Sequence, residues 1–254
     1  MSDPTPATAT PAAGTGDAAD AWDAQAMWDA RTPAPEHTAA DAYRPIDMAR
    51  VREIIGYPEL FITEKKEPFL GDFMRRFIAH STFFCLATAD DSGGVDASPK
   101  GDPPGTVRIL DPWTLALPDR PGNRTADTFE NITRNPAVGM VFFVPGVRET
   151  FRVNGDAFLT DDPDLLERLG AEGKPAVLAT IVKVREAFFQ CGKAVIRAGL
   201  WSDDPRNLAD SLTVGTNFYN QVTAQMAEKM ATHFGTGLGS LGTIVEERYR
   251  DDLF

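Results

Sequence analysis

The stretch Val95–Pro145, VDASPKGDPPGTVRILDPWTLALPDRPGNRTADTFENITRNPAVGMVFFVP, decides the reading of this chain. It reads as strand, turn, strand, basic glycine loop, short helix, strand. VDASPK predicts one strand, and TVRIL and TLALPD predict two more joined by the turn DPW. AVGMVFFVPG is unbroken and apolar, which predicts a central strand buried on both faces. In DRPGNR, Arg120 and Arg124 flank Pro121-Gly122-Asn123, and the glycine permits a sharp turn. TADTFENITRN predicts a helix, with Ala126, Phe129 and Ile132 at three-residue spacing on one face. A helix start offers unpaired N–H groups and a partial positive charge, and neighbouring guanidiniums strengthen an anion site. Lys100, in SPKGDPPG, adds a cation on a nearby turn. The pattern points to a phosphate held at the end of a β-sheet. The loop by itself is equally compatible with a hairpin tip carrying solvated arginines. It is neither a Walker A loop nor a dinucleotide fingerprint. The run GTGLGSLG, Gly235–Gly242, follows a helical segment and reads as a loop.

Upstream, DMARVREIIG predicts a helix that stops at Gly56, with Met48, Val51, Ile54 and Ile55 on one side. EKKEPFLGDFMRRFIAHS carries Phe69, Phe73 and Phe77 at four-residue spacing and predicts a further helix, closed by His80. TFFCLATAD is the strand that follows, with Cys85 a small core residue in its middle. Arg108 on TVRIL points either into a cleft or into solvent. Downstream, ETFRVNGDAFLT alternates apolar positions around Asn154-Gly155, a pair that makes either a tight hairpin or a bulge. DDPDLLERLGAEGKP predicts a short helix capped by Asp161 or Asp162. VLATIVKVREAFFQCGKAVIRAGLW supplies a last strand and a helical segment on which Lys193 and Arg197 share a face, with Trp201 a turn further on. The bland reading of that face is a solvated basic strip beside a core tryptophan.

Residues 1–40 are rich in Ala, Pro, Thr and Asp and read as a disordered tail, with Trp22, Met27 and Trp28 in a short amphipathic turn. Residues 41–202 form the folded domain with its N-terminal helices. Residues 203–254 form a helical extension in which Phe218, Val222, Met226 and Met230 recur every four positions.

The formal net charge of −12 argues against nucleic acid or an anionic membrane as partner, while leaving a local cationic cleft possible. Two cysteines, Cys85 and Cys191, give no disulfide framework or zinc site, and three scattered histidines make no metal centre. No apolar run reaches the ~20 residues needed to span a bilayer. The N-terminus has no signal-peptide pattern, so the expected location is the cytoplasm.

The ordered motifs SPKGDPPG, VRILD, TLALPDRPGNR, ENITRNPAVGMVFFVPG, ETFRVNGDAFL and FFQCGKAVIRAGLW resemble the pyridoxamine 5'-phosphate oxidase-like FMN-binding family, more narrowly an uncharacterised bacterial branch of it. The resemblance spans about Phe69 to Trp201. It implies a mainly β fold with flanking helices, a split β-barrel that forms a homodimer with FMN in clefts between the subunits. It also implies which residues bind the cofactor. Ser98, Pro99, Lys100 and Gly101 of the first motif, with Asp119, Arg120, Gly122, Asn123 and Arg124 of the basic loop, hold the FMN phosphate. Lys193, Arg197 and Trp201 approach the flavin, often from the partner chain. Authentic pyridoxamine phosphate oxidases carry a C-terminal RLHDR-type motif, where this chain has RAGLWSDD and later ERYRDDLF. The expectation is therefore an FMN-dependent oxidoreductase with a small-molecule substrate other than the vitamin B6 phosphates, and with no catalytic side chain assigned. The alternatives are a flavin carrier or redox sensor without turnover, or a deazaflavin-dependent reductase on the same fold; haem lacks axial ligands within the motifs.

Overall fold

The computed structural model describes residues 38–122 and 124–202. The tail up to residue 37, Asn123 and the extension with Phe218 to Met230 lie outside the described residues. The chain divides into two units, Met1–Tyr57 and Pro58–Phe254. In the first, Ala39–Ala42 form a 3₁₀ turn closed by a capping box, in which the Thr38 hydroxyl and the Asp41 carboxylate accept backbone N–H bonds. Helix α1 (Met48–Ile55) starts at Asp47, whose carboxylate accepts from the Arg50 N–H at 2.8 Å, and stops at Gly56 as expected.

The second unit begins with α2 (Leu60–Glu64) and α3 (Asp72–His80). The helix expected across EKKEPFLGDFMRRFIAHS is thus shorter, starting only after Pro68 and Gly71. Proline offers no N–H and disfavours helix in the residue before it, so this segment runs extended. There Glu67 exchanges backbone hydrogen bonds with Ala187, at 3.0 and 2.8 Å. Phe69 therefore precedes the helix, and Phe73 and Phe77 lie on it.

The strands follow as β1 (Phe83–Ala89), β2 (Val95–Gly101), β3 (Arg108–Asp111), β4 (Thr114–Asp119), β5 (Ala137–Phe143), β6 (Thr150–Thr160) and β7 (Leu178–Gln190). Helix α4 (Asp127–Arg134) precedes β5, α5 (Pro163–Arg168) precedes β7, and α6 (Lys193–Ala198) follows it. All strand pairs are antiparallel, in the order β2-β1-β5-β6-β7-β4-β3. The fold is mainly β with flanking helices, a split barrel whose last strands do not close on the first by backbone hydrogen bonds.

One face of the sheet holds the main core. Phe84 and Leu86 of β1, Val138, Met140 and Phe142 of β5, Phe151 and Val153 of β6, and Leu115 and Leu117 of β4 meet there, sealed by Phe77 and Ile78 of α3 and Ile132 of α4. Its centre is aromatic: Phe84 stacks on Phe142 at 4.9 Å, and Phe189 meets Phe151 at 4.8 Å and Phe77 edge-on at 5.3 Å. A second cluster lies on the opposite face, where Leu165 and Leu169 cover Ala116, Ala179 and Ile181. Strand β5 is central, yet only alternate residues are buried, a correction to the expectation of burial on both faces. The same alternation puts Cys85 half-buried on the outward face of β1, where it is not a core residue. Arg108 is exposed on β3.

Asn154-Gly155 forms a bulge in one continuous strand pair rather than a hairpin. Asn154 pairs with Glu186 and Gly155 with Val184, so Arg185 is the extra residue on β7. The insertion inverts the alternation: Val182 and Val184 before it, and Ala187 and Phe189 after it, all face the main core. Glycine is required at 155 because a Cβ there would lie 2.2 Å from the Lys183 carbonyl oxygen. Gly155→Ala should therefore lower the unfolding free energy by at least about 2 kcal/mol, through overpacking. Gly139→Ala, whose nearest neighbour is the Asn154 side-chain oxygen at 3.2 Å, should cost markedly less. Urea unfolding of the two variants measures the difference.

Candidate functional site

The site grows from the open seam between β2, one edge of the sheet, and β4, next to the other edge. Along β2, Asp96, Ser98 and Lys100 alternate onto the half-buried side, while Pro99 and Gly101 face outward. Register with Thr88, Leu86 and Phe84 of β1 puts that side on the core face. The Lys100 ammonium crosses the seam to Asp119, the last residue of β4, at 3.1 Å. It also lies 5.6 Å from the Phe129 ring, in the first turn of α4. One cation thus links the edge strand, the end of β4 and the start of the helix.

Helix α4 is fixed against β1 and β2 by polar pairs that the sequence reading did not identify. The Thr128 hydroxyl donates to Asp96 at 3.0 Å, and the Asn131 amide donates to the Thr88 hydroxyl at 3.0 Å. Ala126, the residue before the helix, provides no side-chain cap. The N-cap residue thus leaves the first N–H groups of α4 uncapped near the Lys100 ammonium, in a turn that also carries the Asp127 and Glu130 carboxylates.

The two loop arginines differ in environment. Arg120 is 13% exposed: its Nε donates to Asp102 at 3.1 Å, and its terminal nitrogen donates to the Leu169 carbonyl at 2.9 Å. It spans the seam a second time, from the end of β4 to the residue after β2, and ties both to the segment after α5. Burial pushes the Asp102 carboxyl above the ordinary aspartate range, and Arg120 offsets only part of that shift. Arg124 is exposed and makes no hydrogen bond or ion pair with any described residue. It adopts a left-handed backbone with φ of +63°, a conformation that is strained in a non-glycine residue. Among the described residues of this loop, Arg124 is left-handed, whereas Gly122 lacks a positive φ.

Of the expected site residues, the structure brings Lys100, Asp119 and the approach to α4 together, with Ser98 on the same side of β2. It turns Arg120 towards Asp102. Lys193 and Arg197 are exposed on α6, which is anchored through buried Val195, and the Trp201 indole donates to the Val147 carbonyl at 2.8 Å. No hydrogen bond or ion pair joins these three to the Lys100 group. The partner of Arg120 was not foreseeable from local pattern, because Asp102 is separated from it by two strands; the only sequence hint was an acidic residue directly after SPKG.

The arrangement suits a phosphate. Lys100 and the uncapped helix start supply donors at the seam, and Arg124 precedes that helix with an uncompensated charge. Residues 70–191 match the family model described as pyridoxamine 5'-phosphate oxidase. Among solved structures, the chain is similar to HupZ of Group A Streptococcus at 21% identity, covering 48% of this chain and 94% of that one, with a TM-score of 0.39. It is similar to an FMN-binding protein of Syntrophomonas wolfei at 10% identity, covering 56% and 95%, with a TM-score of 0.35. It is also similar to an F420 reductase at 20% identity, covering 46% and 94%, with a TM-score of 0.34. A search of curated proteins found no match.

The geometry predicts that removing the Asp102 carboxylate harms folding. Asp102→Ala leaves the Arg120 guanidinium buried without its counter-charge and should cost about 3 kcal/mol. Arg124→Ala, at an exposed and unpaired position, should leave the melting temperature within a few degrees of wild type. Thermal unfolding followed by circular dichroism separates the two.

Proposed function

Residues 70–191 make this chain pyridoxamine 5'-phosphate oxidase-like, and from that premise we propose that it is an FMN-dependent oxidoreductase acting on a small molecule. The observation that carries the reading is the seam at Lys100, where an ammonium, an uncapped helix start and the loop bearing Arg124 offer an anion several donors at once. Bound FMN would supply the electron-accepting and electron-donating chemistry. The chain's own contribution is to hold and orient. Lys100 and Arg124 bind the phosphate, with Ser98 and Asn123 adding neutral hydrogen bonds. The backbone of Pro99, Gly101 and Gly122 lines the approach. Arg120 keeps the loop in register through Asp102 and the Leu169 carbonyl. Asp119 holds the Lys100 ammonium at the seam, and its carboxylate is an acceptor for hydroxyl groups next to a phosphate.

The native state under this reading is a homodimer. The outward face of β1, β2 and β5 carries small or apolar side chains, among them Ala87, Ala97, Pro99, Val141, Phe83 and Phe143. A second copy would cover this face and bring Lys193, Arg197 and Trp201 to the partner's cleft. Among the described residues, no helix is long and apolar enough to cross a membrane.

Three measurements test the proposal. In a flavin-fluorescence titration, Lys100→Ala and Arg124→Ala should each weaken FMN by about ten- to a hundredfold, the loss of one charge-assisted hydrogen bond. Arg134→Ala should change little, since that residue lies in the last turn of α4 and faces Glu130 at 3.6 Å. Riboflavin, lacking the phosphate, should bind weakly and be indifferent to all three changes. Unaltered FMN affinity in both site variants would sink the assignment. Light scattering should give a dimer, and a monomer that keeps stoichiometric flavin overturns the shared cleft. Stopped-flow reduction by NADH or NADPH separates an enzyme from a carrier; preference for a deazaflavin over FMN in the same titration reassigns the cofactor.

A further inference from the structure

The outward face of β6 and β7 holds a charged group that the cofactor site does not use. Phe188 is buried, with 6% of its surface exposed, and three cations surround its ring. The Lys66 ammonium lies 5.0 Å from the ring centroid, the Arg152 guanidinium 5.3 Å and the Lys65 ammonium 5.7 Å. Lys65 donates to the Phe189 carbonyl at 2.7 Å. Lys66 pairs with Glu186 at 2.9 Å, and the other Glu186 oxygen accepts from the Asn154 amide at 2.7 Å. Those two donors, Lys66 first, with the nearby charge of Arg152 adding to them, hold the Glu186 carboxyl below the usual glutamate range, so it is ionised and already engaged on both oxygens.

Arg152 feels the Glu186 charge from a distance but has no hydrogen-bonding partner. It makes no hydrogen bond or ion pair with any described residue, and its Nε is buried from solvent without an acceptor. A buried guanidinium N–H lacking an acceptor is costly, and nearly all such groups in folded proteins are satisfied. Three cations with one carboxylate among them leave the group positively charged in a partly desolvated place, within a chain whose formal net charge is −12. The register explains the assembly: Arg152 lies opposite Phe188 and Asn154 opposite Glu186. The bulge at Arg185 opens a cleft beginning at the same Asn154 and Glu186, lined further by Ala137, Val138, Gly155 and Arg185.

We propose that Arg152, flanked by Lys66 and backed by Phe188, forms an oxyanion subsite on the β6–β7 face that takes the carboxylate or phosphate group of a small molecule. The guanidinium supplies the planar donor edge, Lys66 supplies a second charge, and the ring excludes water from one side. The subsite lies on the sheet face opposite Lys100, so it stands whether or not the seam holds FMN.

The test is isothermal titration calorimetry of inorganic phosphate, and separately of acetate, into the full chain at constant ionic strength. Lys100→Ala serves as background, so that binding at the seam does not contribute. At least one of the two anions should bind with one site per chain, and the anion that binds assigns phosphate or carboxylate as the recognised group. Arg152→Gln should weaken that binding by at least about tenfold, the loss of one charge-assisted hydrogen bond. Arg152→Lys should restore part of it, retaining charge without the planar fork. If Arg152→Gln does not fold, as its circular dichroism would reveal, Lys66→Gln carries the test and should weaken binding in the same direction. Binding that is unchanged in the folded variant, or absent for both anions, overturns the subsite. So does a result in which Arg152→Gln splits a dimer in light scattering without altering anion binding, because the acceptor is then an acidic group on a second copy.

Discussion

Two ion pairs across one seam hold this barrel in shape. A seven-stranded antiparallel sheet that curls without closing leaves two edges with unpaired backbone groups. Here β2 and β4 approach each other without a hydrogen-bonded ladder. Lys100 reaches Asp119, and Arg120 reaches back to Asp102. The inner pair is recessed, with 13% and 12% of the two side chains exposed, and the cost of burying it limits its net contribution to stability. What it supplies is register, because removing either charge strands the other. The Leu169 carbonyl extends the same constraint to the second core beneath α5.

The proposed anion site falls at this same seam. A seam closed by side chains cannot be filled by apolar packing alone, and it leaves polar groups converging at one end of the sheet. The helix start of α4 is aimed there by its own polar anchors to Asp96 and Thr88. The proposed binding role and the closure of the seam therefore draw on the same short segments. The acidic composition of the chain makes such a place distinctive, since most cations near the seam already face a carboxylate.

Much of this was legible in the sequence. β1 to β4, α4 and α5 follow from strand-forming runs broken by turns such as DPW, from the apolar spacing of TADTFENITRN and from the capping Asp162, all of them local signals. The start of α3 was misplaced because four-residue phenylalanine spacing continued past Pro68 and Gly71, where backbone chemistry overrides periodicity. β5 looked doubly buried because apolar composition cannot tell a core face from an outward one. Lys100 and the basic loop stand out by residue type, but the different surroundings of Arg120 and Arg124 do not. They depend on Asp102, a contact set by tertiary packing across two intervening strands. Arg152 gave no signal, because an arginine on the outward side of a strand is ordinary until its neighbours are known.

The bulge at Arg185 also restricts how this chain can change in length. A strand presents alternate residues to alternate faces, so one extra residue reverses the facing of everything beyond it. The sequence of β7 is written for that reversal, so its tolerance of length change is asymmetric. Losing Arg185 itself would restore an unbroken ladder and keep Val184, Ala187 and Phe189 on the core face. A single gain or loss beyond Ala187 would instead turn Phe188 towards the main core and Phe189 outward, because nothing there absorbs the change of parity. A related chain one residue shorter at the bulge could therefore keep the apolar pattern on both sides of it, whereas a gap further along the strand would have to rewrite that pattern.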